Sequence, residues 1–501
     1  MSTLFPEGFL YEELEGGRGI EGPTPRNPAE KANKTSGRKR KQGAPSEQPA
    51  DSSPFVWPWN TLINTGLEPP LELVRGTARA ELYGLEGELA AVYVEGKRWD
   101  PSPWIARLSH WCAENVTGEG IVESDPWNVQ KYWPALFRLR FALIGVEWPD
   151  DLECVLGKVH EMVLRTGWSR GWLFGEGNGL SKNFLQVLSE YRPPANPERW
   201  GAARRLLWLG EKTIPRGVRG PDPGVQSDES LVSVLRQQWL PSSALLAVDH
   251  RTAQIRTELR IFQELLWTGP WKTEIRVGEK LLQLKNFWEP TCWFQDVDGE
   301  YLELRLKLSA GVVLERQIFL PRERPFLWLS DTLKTEKADR LALSWTLPTL
   351  HGARAIGSVT TTAQTIKGYP IELRLLPVGE PANPLSPGTG HLTVDDRGLS
   401  IHSERTADRL FLPVVLTWAR RSLPQQAEWR HLTITNDRRT VPVDEAVAFR
   451  IPIGDSQVLF FRALKTPMRY AFVGHQTYSE CEIGHIDREG KFHEWLTVEG
   501  G

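Results

Sequence analysis

The chain has 501 residues, 25% of them charged, and its formal net charge at pH 7 is −3. This length favours two or three domains over a single hydrophobic core, and the balanced charge excludes the strongly basic surface that is typical of nucleic-acid-binding proteins. The four cysteines are far apart and form no CxxC pair, which excludes a disulfide framework and a zinc ribbon.

The first 54 residues are predicted to be a disordered tail. Residues 21–54 are rich in Pro, Gly, Ser, Lys and Glu, and they carry too little apolar surface to offset the entropy lost on ordering. The N-terminus lacks the basic start and apolar stretch of an ordinary signal peptide, and no segment has the length of a membrane helix. A cytoplasmic location without membrane contact is therefore the expectation, while export by another route stays open.

Residues 55–220 are predicted to form a mainly α-helical domain. Ser102 followed by Pro103 is typical of a helix N-terminus, and apolar residues recur at helical spacing between 150 and 166. Ten of the 22 tryptophans lie between 99 and 208. These tryptophans either pack in a helical core or offer flat faces to a sugar, and both readings stay open.

Two segments depart from this helical pattern. Residues 70–98 are expected to supply a β-hairpin of their own. Residues 212–230 are interrupted by glycine and proline, and we interpret them as a linker or a long surface loop between domains.

Residues 225–501 are predicted to form a large antiparallel β-sandwich. In the stretch YLELRLKL, leucines at 302, 304, 306 and 308 share one face, while Tyr301, Glu303 and two basic residues share the other. Many short runs of this kind follow, separated by turn residues. The fold class expected for the whole chain is therefore α+β, with a helical domain followed by the sandwich.

Two details of the sandwich are predicted from single residues. Asp298-Gly299 is typical of a hairpin turn in which the glycine has a positive φ. Arg316 lies on the same face of its predicted strand as apolar residues, so its charge needs a partner in the interior. We expect a structural ion pair with Asp331 or Glu303.

The glycine-rich segment GWSRGWLFGEGNGLSKNF, residues 167–184, is the strongest candidate for a ligand site. It satisfies neither phosphate-loop pattern. Aromatic walls combined with polar groups suit a sugar, and the predicted substrate-binding residues are Trp168, Arg170, Trp172 and Glu176. The alternative is that the glycines only relieve tight turns and the tryptophans pack on helices.

Asp249-His250 is the candidate acid–base pair. An imidazole beside a carboxylate can transfer protons at neutral pH, although neighbours on one strand point to opposite faces and need not converge. His475 and His485 bracket Cys481 without the spacing of a zinc site. We expect no metal and no cofactor.

The segment CWFQDVDGEYLELRLKLSAGVVLERQIFLPRERPFLWLSDTL, together with SVLRQQW at 233–239, resembles the C-terminal sandwich of heparinase II/III-like polysaccharide lyases. This resemblance implies a helical toroid, here truncated, before the sandwich. It also implies an acidic polysaccharide as the partner. Asn178 would neutralise the uronate carboxylate and His250 would act as the catalytic base.

Two functions follow from these observations. The first is an enzyme that cleaves an acidic polysaccharide by elimination. The second is a non-catalytic relative that binds a glycan or a protein and retains only the sandwich scaffold. Convergence of Asn178, His250 and Arg170 would favour the enzyme, and their separation would favour the binding protein.

Overall fold

The computed structural model of the protein describes most of the chain from residue 77 onward. The described residues are 77–94, 100–142, 146–168, 171–175, 201–207, 220–348, 354–357, 361–367, 371–395, 398–419, 428–454, 456–487 and 489–500. The predicted tail lies outside this set, and so do Arg170, Glu176 and Asn178.

The N-terminal part is a layer of helices. These are α1 (Ala78–Val94), α2 (Ser102–Asn115), α3 (Val129–Ala142), α4 (Asp150–Thr166) and the short α5 (Gly201–Leu207), with a 3-10 turn at Pro126–Asn128. Their apolar sides share one core with several tryptophans, as the helical spacing predicted. None of the described helices is long and apolar enough to span a membrane.

The hairpin expected within residues 70–98 is wrong for the residues that the structure describes. Ala78–Val94 is an α-helix. Leu82, Leu85 and Leu89 are three and four residues apart, and all three are buried. Burial of this one stripe outweighs the low helix propensity of the two glycines in the segment.

A five-stranded antiparallel sheet, here called the central sheet, follows the helices in chain order. Its strands are Val225–Ser227, Val232–Arg236, Ala244–Asp249, Arg256–Ile261 and Glu264–Pro270. Leu246 and Val248 pack toward the rest of the sandwich, whereas Leu245 and Ala247 pack into the helical core. Both faces of the central sheet are therefore buried. Its first strand lies inside the segment interpreted as a linker, so that interpretation is wrong for residues 225–227.

The second layer of the sandwich is an eleven-stranded antiparallel sheet, here called the large sheet. The path of paired strands runs Glu289–Gln295, Gly299–Lys307, Val313–Pro321, Phe326–Leu347, Gly398–Ala419, Glu372–Leu376, Gln364–Lys367 and Arg354–Gly357, with Lys272–Val277, Lys280–Leu282 and Gly390–Asp395 paired beside it. Leu302, Leu304 and Leu306 face the central sheet in the largest core cluster of the described residues. The predicted alternation is thus confirmed.

The third layer covers the opposite face of the large sheet. The outer sheet consists of Arg430–His431, Ala446–Ile453, Ser456–Ala463, Cys481–Ile486 and Phe492–Val498, and a four-stranded sheet of Thr435–Asn436, Arg439–Thr440, Tyr470–Phe472 and His475–Thr477 lies beside it. Tyr301 and Trp328 pack against Phe449 and Phe460 of the outer sheet. The antiparallel β-sandwich is therefore confirmed. The division into separate domains near residue 220 stays a prediction.

The hairpin turn before Gly299 has a different basis from the one expected. Asp296 Oδ1 accepts hydrogen bonds from the N–H groups of Asp298 (2.8 Å) and Gly299 (3.0 Å), which closes the turn. Gly299 is absent from the glycines with positive φ among the described residues. Instead, a Cβ at Gly299 would lie 2.6 Å from the ring of Phe319. Glycine is needed at position 299 because the Phe319 ring packs too close to the backbone to leave room for a Cβ atom.

Arg316 forms the predicted buried ion pair with Asp331. Both side chains are fully buried, and the guanidinium donates to the two carboxylate oxygens over 2.8 and 2.7 Å. Its Cζ lies 3.7 Å from the ring centroid of Trp271 and 5.0 Å from that of Trp288. This bidentate geometry with aromatic cover is the form in which a buried arginine is tolerated.

Substitution of Gly299 by alanine is expected to lower the free energy of unfolding by about 1–3 kcal/mol, because the new methyl group overpacks against Phe319. Gly157→Ala is the matched control. Gly157 lies within α4, and a Cβ added there would have no atom within 4 Å, so alanine is expected to stabilise by about 0.5–1 kcal/mol. Urea unfolding measures both. Equal stability of Gly299→Ala and the parent would contradict the close approach.

Candidate functional site

The candidate site lies on the face of the central sheet that meets the helices. In the strand Arg256–Ile261, Arg256, Glu258 and Arg260 share this face because side chains alternate along a strand. Leu259 points to the opposite face, into the core shared with the large sheet. A row of three charged side chains therefore lies at the junction of helices and sheet.

An aromatic hairpin covers this row. Gly167–Trp168 pairs in antiparallel fashion with Gly171–Trp172, directly after α4. The Cζ of Arg260 lies 3.8 Å from the ring centroid of Trp168, and the Cζ of Arg256 lies 5.1 Å from that of Phe174. The backbone N–H of Phe174 also donates to Oε2 of Glu258 over 2.9 Å. Two arginines of one strand are thus each placed against an aromatic ring.

The charges of the row are unequally compensated. Arg260 Nε donates to Oε1 of Glu258 over 2.6 Å, and both side chains are nearly buried. Burial lowers the pKa of Arg260, while Glu258 acts in the opposite direction. Arg256 is exposed, and no carboxylate of the described residues lies within salt-bridge distance of it. One cation at the rim of the junction is therefore available to an anionic ligand.

Asp249 adds an ordered ion pair beside this row. Its carboxylate accepts from Arg251 Nη2 over 2.8 Å and from Trp127 Nε1 over 3.0 Å. Burial acts to raise the pKa of Asp249, but the hydrogen bonds and the charge of Arg251 outweigh it and hold the pKa below its ordinary value. Arg251 remains about one-third exposed, with 37% of its side chain accessible. The junction thus presents a second arginine with an accessible edge.

The predicted site residues are distributed over different surroundings. Trp168 is half-buried and lies on the charged row against Arg260, and its role in ligand binding stays a prediction. Trp172 is only 8% exposed and packs into the helical core. This matches the alternative reading of the loop for Trp172. Arg170, Glu176 and Asn178 lie outside the described residues, and their roles stay predictions.

His250 is not brought to this face. Asp249 points toward Trp127 of the helical layer, whereas His250 lies beside Trp288 on the side of the large sheet. Its imidazole is fully buried, with Nε2 3.5 Å from Ser233 Oγ. Burial lowers the pKa of His250 to about 4, against the opposing charges of Asp249 and Asp228. The ring is therefore neutral at pH 7 and separated by the sheet from Trp168.

Sequence reasoning missed Arg256, Glu258, Arg260 and Phe174. The signal was present in RTELRI, where three charged residues alternate with Thr257, Leu259 and Ile261. Such alternation ordinarily indicates a strand with one face in water. Only the helices packed over this face turn the charged row into a candidate site.

A second group of acidic residues lies between the large and outer sheets. Oxygens of Glu303, Glu315 and Glu480 lie within 4.8 Å of one another, which is a spacing compatible with a metal ion. However, Nη2 of Arg462 lies 3.2, 3.2 and 2.9 Å from these three carboxylates. The guanidinium already takes the central position, so this group is a structural ion network.

Comparisons with known proteins place the fold. No protein-family model matches the chain, and no curated protein matches its sequence. A structure of heparinase III with methylated lysines superposes with a TM-score of 0.55 at 10% identity, over 76% of this chain and 65% of that one. The chain has the fold of heparinase III.

Two further solved structures agree with this heparinase III fold. A mutant of the heparan sulfate lyase HepC from Pedobacter heparinus gives a TM-score of 0.53 at 11% identity, over 77% of this chain and 66% of that one. Another heparinase III gives 0.51 at 10% identity, over 78% and 68%. The chain spans about two thirds of the length of these neighbours. The resemblance seen in the sequence is thus confirmed at the level of the fold.

The burial of His250 predicts a pH dependence of stability. Its pKa is about 4 when folded, against an ordinary value of 6.5, so the folded state binds fewer protons than the unfolded state between these values. Stability from this group is therefore present above about pH 6.5 and lost as the pH falls toward 4, by up to about 1.4 kcal/mol for each pH unit. Urea unfolding of His250→Gln is expected to show a shallower loss than the parent. An unchanged slope would contradict a buried neutral imidazole.

Proposed function

We propose that the face of the central sheet that meets the helices, with Arg256, Glu258 and Arg260, binds an acidic polysaccharide. This face is here called the junction face. The main support is a pair of arginine–aromatic contacts, Arg260 on Trp168 and Arg256 on Phe174. In addition, Arg256 is exposed and has no carboxylate partner among the described residues. A planar guanidinium donates two parallel hydrogen bonds to a carboxylate or a sulfate. Aromatic faces beside it suit the apolar side of a sugar ring.

The neighbouring proteins support the polysaccharide class. Structures of the same fold are heparinase III and a heparan sulfate lyase, and the latter is named for a polyanionic glycan. In this proposal the helices of residues 78–207 are the counterpart of a truncated toroid, and they form one wall of the binding face. The sheet side supplies Arg251 and Arg256. Arg170 and Glu176 of the adjoining segment are assigned as further contacts.

Eliminative cleavage is the second candidate, and the heparinase III fold is the observation that favours it. In that reaction a base removes the proton beside the uronate carboxylate, the glycosidic oxygen leaves, and a carbon–carbon double bond forms. Asn178 is assigned to neutralise the carboxylate and His250 to take the proton. Binding is the better-supported function, because His250 is fully buried on the far side of the central sheet.

Replacement of Arg256 by glutamine is expected to weaken binding of heparan sulfate about fivefold, or roughly 1 kcal/mol, because one charged hydrogen-bond donor is lost. The free energy of unfolding should stay within about 0.5 kcal/mol of the parent, since the side chain is exposed. Arg450→Gln, at an exposed position of the outer sheet, is the matched control. Titration calorimetry at low and high salt measures both variants. Equal affinities of the two variants would overturn the assignment of the site.

Incubation of the full chain with heparan sulfate separates binding from cleavage. Cleavage produces an unsaturated uronate with a new ultraviolet absorbance, and this signal should disappear in Asn178→Ala and in His250→Ala if those residues carry the reaction. Binding without new absorbance is the result expected from the buried position of His250. A signal that depends on both residues would establish the second candidate.

A further inference from the structure

The hairpin that carries Trp168 is held by a buried arginine of the central sheet. Arg236 is 1% exposed and ends the strand Val232–Arg236. Its Nη2 donates to the backbone oxygen of Arg165 over 3.0 Å and also to that of Gly167. Arg165 lies in the last turn of α4 and Gly167 begins the hairpin. One guanidinium therefore joins the two backbone segments directly before Trp168.

The main chain of Arg236 is fixed in turn by the large sheet. Its N–H donates to Oε2 of Glu300 over 2.6 Å, while Nη1 of Arg322 donates to Oε1 of the same carboxylate over 2.6 Å. Nη1 of Arg322 also donates to the backbone oxygen of Arg236 over 2.6 Å. Burial raises the pKa of Glu300 to about 7, and Arg322 and Arg236 act to lower it. The carboxylate is thus a bridge between two sheets.

The surroundings of this bridge are closely packed. A Cβ at Gly224 would lie 2.3 Å from Oε1 of Glu300. The ring centroid of Trp239 lies 4.5 Å from the Cζ of Arg236. Nε2 of Gln237 donates to the backbone oxygens of Pro321, which ends a strand of the large sheet, and of Arg324, each over 2.7 Å. The end of this strand is therefore in direct contact with the large sheet.

We propose that Arg236 and Glu300 are positioning residues for the junction face, through which the large sheet sets the location of the Trp168 hairpin against Arg260. The two paired segments of this hairpin are two residues each, too short to hold their geometry in water without outside contacts. The ligand in this inference rests on the proposed function. The hydrogen bonds that connect Glu300 to the hairpin through Arg236 do not depend on any ligand.

Hydrogen exchange of the full chain tests this link without a ligand. In Arg236→Met the amides of residues 167–168 and 171–173 are expected to exchange at least about tenfold faster, because two hydrogen bonds from a charged donor are lost. Amides of the core strand Phe326–Leu347 should keep the exchange rates of the parent. Arg236→Lys retains the positive charge and a hydrogen-bond donor but lacks the planar guanidinium. It should give a hairpin exchange rate between those of the parent and Arg236→Met. Arg305→Met, at a half-exposed position of the large sheet, is the matched control and should leave the hairpin unchanged.

Glu300→Gln tests the second half of the link with little change of shape. It exchanges a carboxylate for an amide beside the N–H of Arg236, so faster exchange is expected at the hairpin and not in the core strand. Unchanged hairpin exchange in both Arg236→Met and Glu300→Gln would overturn the proposal. Equal acceleration of the hairpin and the core strand would overturn it too, because the effect would then be on global stability.

Heparan sulfate affinity separates this proposal from the proposed function. If the parent binds, Arg236→Met should weaken binding by a larger factor than Arg305→Met does. If the parent does not bind, the proposed function fails, while the exchange rates of the hairpin still decide whether Arg236 positions it.

Discussion

The central sheet, residues 225–270, is covered on both faces except at its rim, and the rest of the architecture depends on this constraint. All six residues of the strand Ala244–Asp249 are buried, with alternate side chains in two different cores. Antiparallel sheets ordinarily leave one face solvated. Here the helices must cover one face and the large sheet the other, so the order of the layers follows from this sheet. The outer sheet then covers the large sheet in the same way.

Stacked layers of this kind enclose charged side chains, and several of these are paired with opposite charges. Arg316 meets Asp331, Arg462 lies among three glutamates, and Glu300 lies between two arginines. Removing one partner of such a group leaves an uncompensated buried charge, which costs about 3–5 kcal/mol. Because Arg462 and Glu300 each connect two sheets, these groups also fix how the layers sit on each other. Register between layers is therefore specified by charge as well as by apolar packing.

The candidate site is a consequence of the same layering. The strand Arg256–Ile261 presents charged residues where the helices meet the central sheet, and the hairpin after α4 covers them with aromatic rings. Arg260 is enclosed and paired, whereas Arg256 stays at the rim. In this chain the helical core packs against the central sheet of the sandwich, and the chain superposes on heparinase III over 76% of its length. The junction is thus the place where two separately recognisable sequence patterns combine into one surface.

The sequence by itself determined the local structure. Period-two leucines predicted the strand at 299–307, the stripe at 150–166 predicted α4, and an arginine on an apolar face predicted the pair of Arg316 with Asp331. These features depend on neighbours along the chain or on the next strand. A helix was missed at Ala78–Val94 because its leucine stripe gains stability only from the helices packed against it.

Tertiary structure alone decided which faces are buried and which side chains meet. Tyr301 and Glu303 alternate with leucines as a solvent-facing row would, yet the outer sheet buries them. Trp168 and Trp172 are equivalent in the sequence pattern, but one lies on Arg260 and the other lies in the core. Asp249 and His250 are adjacent in the chain and lie on opposite sides of a sheet. The physical reason is that burial depends on what packs over a face, and the covering layers come from residues distant in the sequence.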